Sequence, residues 1–453
     1  MSFSTLILAA GMGTRMKSSR PKVLHTVCGK PLTMWVIDAS KAAGADGVCA
    51  VVGHCADMVK ETIGDACVYA LQAEQKGTGH AVMQAMDFIK SAKGEIVILN
   101  GDTPLVTAKA IKDAVEYHRE SGNKATVITA VLPDATGYGR IVRGEDGGVK
   151  KIVEQKDAND EEKKINEVNS GMYVFDSESL AYALTKLTPN NAQGEYYLTD
   201  TLEILLAAGE KVGGYAISDN DEIRGINDRV QLYEAEKIMQ RRINEAHMRA
   251  GVTIRDMESV CIEDGVTIGA DTEIAQNVTI KSGTVIGEGC YIGSGTTIEA
   301  SQIDDGAHIL SSVILNSKIG KNTHVGPFAY VRPNCTVGAD VKVGDFVEVK
   351  NSVIGDGTKI SHLTYIGDSD VGERVNFGCG TVTCNYDGKN KFRTVIGDDS
   401  FIGCNTNLVS PVNVGNGAYI AAGSTITEDI PSDALSIARA RQVNKEKWLD
   451  KRK

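Results

Sequence analysis

A six-residue beat runs through the C-terminal half of the chain. Ile262, Ile268, Ile274, Ile280, Ile286, Ile292 and Ile298 follow one another at intervals of six. After a slip the spacing resumes at Val313, Ile319, Val325, Val331, Val337, Val343 and Val349. It returns at Ile354, Ile360 and Ile366, and finally at Ile396, Ile402, Leu408, Val414, Ile420 and Ile426. Six matches neither the period of about 3.6 of a helix nor the alternation of a long strand. It matches a chain that turns a corner every six residues and points one aliphatic side chain inward on each side. Gly, Asp and Asn follow the anchors, as in Ile268-Gly-Ala-Asp271 and Ile286-Gly-Glu-Gly289, and these residues tolerate the positive φ of sharp corners. The spacing predicts a hexapeptide parallel β-helix.

At 453 residues the chain is too long for one ordinary core, so two or more domains are expected. A hydrophobic content of 42% and a charged content of 24% are those of a soluble globular protein. The net charge of −11 argues against a nucleic-acid binder. It leaves anionic small substrates open, because a few local cations govern a pocket. The ten cysteines include no C-x-x-C pair, and Cys379 and Cys384 lack the partners of a zinc site. They read as reduced thiols filling small core spaces in a cytoplasmic protein. The run Met1–Ala10 has no basic leader and reads as a first buried strand. No apolar stretch approaches the roughly 18–20 residues of a membrane span.

Up to about residue 228, apolar strands alternate with amphipathic helices. Thr5–Ala10, Val48–Val52, Cys67–Leu71, Glu95–Leu99 and Thr126–Val131 read as strands, and Leu32–Ala43, Ala81–Phe88 and Ala108–Glu120 as helices. That order predicts an α/β domain over 1–228, Rossmann-like with a mainly parallel sheet, whose ligands bind beyond the carboxyl ends of the strands. Leu232, Ala235, Met239, Ile243 and Ala246 then recur at helical spacing, giving a linker helix over 229–250. The β-helix with its basic tail occupies 251–453. The segment Cys384–Thr394 interrupts the hexads as an excursion.

A glycine-rich turn, Gly11-Met-Gly-Thr-Arg-Met16, follows the first strand. It lacks the third glycine of a dinucleotide fingerprint and the Gly-Lys-Ser/Thr of a P-loop. What it offers is a run of free backbone N–H groups for phosphates, with Arg15 and Lys22 adding charge. The longer string Leu8-Ala-Ala-Gly-Met-Gly-Thr-Arg-Met16, with Pro21-Lys-Val-Leu24 and Gly29-Lys-Pro31, resembles sugar-1-phosphate nucleotidyltransferases. Leu71–Gly79, Gly101-Asp102, Thr136–Arg140, Val153–Asp157, Asn169-Ser-Gly171, Asn190–Tyr197 and Gly225–Arg229 extend the match. With the hexads, the whole chain resembles the bacterial family of bifunctional N-acetylglucosamine-1-phosphate uridylyltransferases and glucosamine-1-phosphate acetyltransferases.

That resemblance implies roles for particular residues. Leu8, Ala9, Ala10, Gly11, Gln72, Gly77 and Thr78 would hold uracil and ribose, with Arg15 and Lys22 at the phosphates. Gly139, Glu154 and Asn169 would bind the sugar. Asp102 and Asn227 would hold Mg²⁺, Asn227 also contacting the nucleotide. The family often has Tyr-Gly-Asp where this chain has Asn100-Gly-Asp102. The chemistry is attack by a sugar-1-phosphate on UTP with loss of pyrophosphate. The nucleophile is already anionic, so charge neutralisation and alignment matter and no general base is required.

Acetyl transfer to an amine needs a base, for which His is the natural choice near neutral pH. His308, His324 and His362 lie in the β-helix, and spacing alone does not choose among them. The string Ser361-His-Leu-Thr-Tyr-Ile-Gly-Asp368 resembles the family's acetyltransferase motif, which implies His362 as the general base. By the same resemblance Arg332 and Lys350 grip the glucosamine phosphate, Tyr365 and Asn376 contact its sugar, and Asn385, Tyr386, Ala422 and Arg439 contact acetyl-CoA. Cys379 and Cys404 stand where some members have Ala and Ser. The family also implies a left-handed coil, against the usual right-handed crossover, and a homotrimer built through the β-helix. Two other readings remain: a β-helix serving only as an oligomerisation module, and a solenoid binding module beside a degenerate α/β domain. The Ser361–Asp368 and Asn385-Tyr386 strings speak against the first, and the Gly11–Arg15 turn with Lys22, Asp102 and Asn227 against the second.

Overall fold

The structure is a computed structural model that describes residues 2–145, 147–191 and 193–449. It divides into two compact units, Met1–Met239 and Gln240–Lys453.

The first unit is built on a sheet whose strands run in the order Val212–Ala216, Ala125–Val131, Glu167–Asp176, Glu95–Asn100, Phe3–Ala9, Gly47–Val52 and Val68–Leu71. Phe3–Ala9 pairs parallel with both of its neighbours, whereas Glu167–Asp176 runs antiparallel to the strands beside it. Phe3–Ala9 is buried along almost its whole length, the signature of a strand covered on both faces. Its alternate residues feed two cores: Ile7 joins Leu99 and Val36, while Leu6 joins Ile98 and Leu184. The helix expected over Ala81–Phe88 is instead two, Thr78–Met83 and Met86–Ser91, because Ala85 leaves the helical region at φ −99° and ψ 20°. The strands Arg140–Arg143 and Val149–Val153 form a hairpin beside Glu167–Asp176 that the periodicity did not disclose.

The helix Arg229–Arg249 makes hydrogen bonds inside each unit. Within the first unit its Glu236 accepts a 2.8 Å hydrogen bond from the Cys28 N–H. Within the second, Gln240 and Asn244 donate to the Val260 carbonyl at 2.6 and 3.0 Å, capping the first coil.

The second unit is a left-handed parallel β-helix of three sheets, with eleven, ten and nine short strands. Up to the last coil each strand pairs with the third one along, so Ile262 faces Ile280, Ile268 faces Ile286 and Ile274 faces Ile292. The inward aliphatics fuse into one core running from Val252 to Ile430. Each such side chain contributes about 1.5–3 kcal/mol on burial. The slip in the beat has a structural cause. Ile286 pairs with Ile303, one residue short of a full coil, and the inward residues there are Ile303, Ile309, Ile314 and Ile319. Val313, read from the sequence as an inward anchor, is 37% exposed, and Ile314 takes its place in the core. The excursion leaves after Val382–Cys384 and returns at Thr394–Ile396, closed by a bridge between Tyr386 and Lys391.

In the first unit, His118 is buried against the Thr126 hydroxyl at 2.9 Å, and that hydroxyl also accepts from Asn123. Burial pushes the His118 pKa down to about 4, so the imidazole in this contact is neutral near pH 7. The unfolded chain takes up this proton near pH 6.5 and the native state resists it. The stabilisation is complete above that pH and is lost as pH falls toward 4, by up to about 3 kcal/mol. Calorimetry of the full chain should show this decline, and His118→Gln should flatten it.

Two candidate functional sites

In the first unit, a cleft of about 740 Å³ opens at the carboxyl ends of the parallel strands. Leu8, Ala9, Ala10 and Gly11 form its floor, with Arg15, Lys22, Gln72, Gly77, Thr78, Asp102 and Asn227 around it. Gly13 takes φ 60° with the Lys22 side chain packed against it, and Gly77 takes φ 103°. Gln72 is buried and donates to the Gly77 carbonyl at 3.2 Å, while Gln75 donates to the Ala10 carbonyl at 2.8 Å. Thr78 is fixed by accepting from the Leu198 N–H at 3.1 Å.

The charged end of the cleft is one cluster. Lys22 pairs with Asp102 and donates to the Asn227 amide oxygen at 3.2 Å, and Arg15 donates to that same oxygen at 2.7 Å. The Ile226 N–H bonds the Asp102 carbonyl at 2.9 Å and holds Gly225–Asn227 beside it. Among the described residues no group of three His, Cys, Asp or Glu forms a metal cage. Asp102 and Asn227 nevertheless suit Mg²⁺, a hard cation that takes one or two protein oxygens and completes its shell with water and substrate phosphate. Both oxygens already face a cation, the Lys22 ammonium.

Gly139, Glu154 and Asn169 also come together. The Asn169 N–H donates to the Gly139 carbonyl at 2.9 Å, and a Cβ on Gly139 would stand 3.3 Å from a Glu154 carboxylate oxygen. Burial, with Asp157 nearby, raises the Glu154 pKa above the ordinary carboxylate range. The cleft wall on this side is lined by Thr136, Gly137, Tyr138 and Ser170. Sequence reasoning had not singled out Gln75, Glu195 and Tyr197, which also line the cleft.

In the second unit, coil stacking assembles the site from residues distant in sequence. Asp345 lies opposite His362 on adjacent coils, and its carboxylate accepts from His362 Nδ1 at 2.6 Å. That bond from His362 holds the Asp345 carboxyl below its usual range. With Nδ1 as donor, the lone pair sits on Nε2, on a side chain that is 55% exposed. Asp345 was missed, although one coil's spacing before His362 was a usable signal. His308 and His324 instead stack on one another with Tyr291 at ring separations of 5.2 and 4.7 Å.

Lys350 donates to Asp368 Oδ2 at 3.1 Å, Asn385 donates to the same oxygen, and Asn351 donates to Oδ1 at 2.6 Å. Burial works to raise the Asp368 carboxyl, but hydrogen bonds from Asn351, Lys350 and Asn385 outweigh it and hold the group low. The Tyr365 hydroxyl lies 3.5 Å from the Asn385 amide. Lys391, which sequence reasoning had not named, comes from the excursion toward Lys350, and that neighbour pushes its pKa down. Arg332 pairs with Glu348 at 2.8 Å. Asn376 stands on the ladder between Lys359 and Phe401, and Tyr386 is exposed. Ala422 lies one coil above Gly403, and Arg439 approaches within 3.6 Å of a Cβ placed on Gly423.

Fold and sites together define a nucleotidyltransferase fused to a hexapeptide-repeat transferase. The nucleotidyl transferase family model matches residues 4–222, and the bacterial transferase hexapeptide model matches 262–300, 316–351 and 393–428. Three similar proteins, each described as bifunctional protein GlmU, cover nearly the full length. That of Acetivibrio thermocellus is 56% identical over 99% of this chain and 97% of its own. That of Halalkalibacterium halodurans is 54% identical over 99% and 98%, and that of Clostridioides difficile 53% over 100% and 98%. The chain belongs to the bifunctional GlmU family. It is an enzyme of UDP-N-acetylglucosamine synthesis with nucleotidyltransferase and acetyltransferase activities.

Asp368 is the most heavily tied carboxylate of the second site. Asp368→Asn removes the charge, and one of the two acceptor oxygens, shared by Lys350, Asn351 and Asn385. Chemical denaturation should register a loss of about 2–3 kcal/mol in the β-helix unit. Acetyl transfer should fall as Lys350 is released.

Proposed function

We propose that the second unit first acetylates glucosamine-1-phosphate from acetyl-CoA, and that the first unit then transfers a uridylyl group from UTP to the product, releasing pyrophosphate. The observation that carries this reading is the His362–Asp345 hydrogen bond. It turns one face of a repetitive coil into a base with a fixed tautomer, which an oligomerisation module does not need.

At the first site, Leu8–Gly11, Gln72, Gly77 and Thr78 hold the nucleoside, and Gly139, Glu154 and Asn169 hold the sugar. Mg²⁺ at Asp102 and Asn227 supplies charge neutralisation between phosphates when bound. Lys22 exchanges Asp102 for phosphate oxygens, and Arg15 turns toward the pyrophosphate that leaves. Neither residue moves a proton, because the attacking phosphate oxygen is already charged.

At the second site, Arg332 and Lys350 grip the sugar phosphate, with Lys391 adding a third cation. Tyr365 and Asn376 orient the sugar. His362 Nε2 accepts the proton of the amine as it attacks the thioester carbonyl, Asp345 stabilises the imidazolium, and the C–S bond then breaks to release coenzyme A as a thiolate that takes up that proton. Asn385, Tyr386, Ala422 and Arg439 position acetyl-CoA. A cytoplasmic setting suits ten unbridged cysteines and these substrates.

The oligomer is a homotrimer packed through the β-helix. Phe328 and Phe346 stack at 5.4 Å on a corner that continues to Leu363, and the three are 58%, 58% and 57% exposed. An apolar stripe of this kind beside His362 supports packing against a second copy.

Both half-reactions should be assayed in wild type and single variants. His362→Ala should lose acetyl transfer by about 10³-fold or more, and Asp345→Asn by about ten- to a hundredfold, with uridylyl transfer intact. Asp102→Ala should do the reverse, and a chelator should stop uridylyl transfer alone. Full acetylation by His362→Ala would refute the base assignment.

Phe346→Asp should convert the trimer to smaller species in sedimentation, and acetyl transfer should fall with it. Uridylyl transfer should stay within about twofold of wild type.

A further inference from the structure

Asp345, His362, Cys379, Cys404 and Ala422 each stand immediately before a left-handed corner, at Phe346, Leu363, Gly380, Asn405 and Gly423. The ladder stacks them. Asp345 faces His362, and two residues before the other members Ile360, Phe377, Ile402 and Ile420 pair in one column. Beyond the strands the Asn405 N–H still bonds the Cys379 carbonyl at 2.8 Å, and the Gly423 N–H bonds the Cys404 carbonyl at 2.7 Å. Cys379 and Cys404 therefore occupy the same position on neighbouring coils.

Adjacent strands lie about 4.8 Å apart, within the roughly 4.4–6.8 Å Cα separation that a disulfide spans. A Cβ on Gly378 would collide with the Cys404 backbone nitrogen, so the coils meet closely just before the two thiols. Cys404 is exposed and Cys379 half-buried, whereas Cys28, Cys49, Cys290 and Cys335 are buried. The pair stands between His362 and Ala422 in the same column. The expectation that the cysteines fill small core spaces does not describe the exposed Cys404.

The geometry points to a dithiol modification site, at which exchange with a small-molecule disulfide links Cys379 to Cys404 and reversibly stops acetyl transfer. The inference rests on the reading that acetyl-CoA lies along this corner. The matching oxidant class is the disulfide of a small thiol carrying the donor's own arm, of which coenzyme A disulfide is the probe. The Cys404 thiolate attacks one sulfur of the probe, the probe's S–S bond breaks, and one coenzyme A thiolate leaves. The Cys379 thiolate then attacks Cys404 Sγ in the mixed disulfide and expels the second. Two protein sulfurs are oxidised by two electrons in all, the probe is reduced to two thiols, and the protons lost by the cysteines reach the departing thiolates through solvent. Placed directly above the base, the bridge pins two coils where the thioester must approach.

The test treats the full chain with coenzyme A disulfide and follows both half-reactions beside intact-protein and peptide mass spectrometry. Wild type should lose the mass of two hydrogens, yield a Cys379–Cys404 cross-linked peptide, and fall at least about tenfold in acetyl transfer with uridylyl transfer unchanged. Dithiothreitol should restore it. Cys379→Ala should stop at a mixed disulfide on Cys404, and Cys404→Ser should yield no bridge, each variant being compared with itself before oxidation. Absence of the cross-link in wild type while Cys404 takes up coenzyme A would overturn the site. A cross-link that leaves acetyl transfer intact would overturn the switch. Failure of reduced wild type to acetylate would instead count against the proposed function.

Discussion

The coil-on-coil register of the β-helix is the constraint on which the second site depends. Each turn of about 18 residues places a side chain directly over its counterpart one coil below, held by parallel backbone hydrogen bonds and the aliphatic column inside. A solenoid of this kind converts sequence spacing into spatial adjacency. Asp345 meets His362, and Lys350 meets Asp368, because 17 and 18 residues separate them. No loop has to find its target, so these contacts cost little conformational entropy beyond that of forming the coil.

The two sites solve different electrostatic problems with related parts. Each holds a lysine against a carboxylate, Lys22 with Asp102 and Lys350 with Asp368. All four side chains are less than one-fifth exposed, so the pairs are shielded well enough to matter. They differ in what surrounds the carboxylate. Asp368 is saturated by amide donors from Asn351 and Asn385, which makes it a fixed post that orients Lys350. Among the described residues, Asp102 shares its cation with Asn227 and has no such surround of side-chain amide donors. The His362–Asp345 pair lies in the second site, where the proposed reaction begins from an amine that must lose a proton.

Much of this was legible in the sequence, and the reasons for the gaps are physical. The aliphatic anchors are visible because a corner every six residues leaves little choice at the inward position. The misreading at Val313 arose because a coil can shorten by one residue without losing its core, shifting the inward role to Ile314. In the first unit the long buried strands were readable from apolar runs, but the Arg140–Arg143 and Val149–Val153 hairpin was not, since its strands are short and interleave charged residues with apolar ones. The glycine turn and the family-like strings marked the cleft, and Gln75 and Tyr197 lie inside two of those strings, but their place in it comes from loop packing that no periodicity encodes. Asp345 and Lys391 were missed because their roles exist only after coils stack or an excursion folds back.

Left-handed corners explain why so much chemistry gathers in one column. A residue with φ near +50° ends the strand abruptly, and the side chain just before it leaves the ladder toward solvent. Phe346 at φ 55° and Leu363 at φ 43° adopt this conformation despite their bulk, where glycine would do so freely. The strain is on the order of 1 kcal/mol for each. The same corners carry large apolar side chains outward on one flank and present Asp345 and His362 on the other. Gly380 and Gly423 relieve that strain higher in the column, and there small residues replace the bulky ones. The column thus passes from an apolar, imidazole-bearing lower half to a slender upper half containing Cys379, Cys404 and Ala422. A long thioester arm can lie against such a stretch of backbone, and a covalent bridge between its coils would be felt there first.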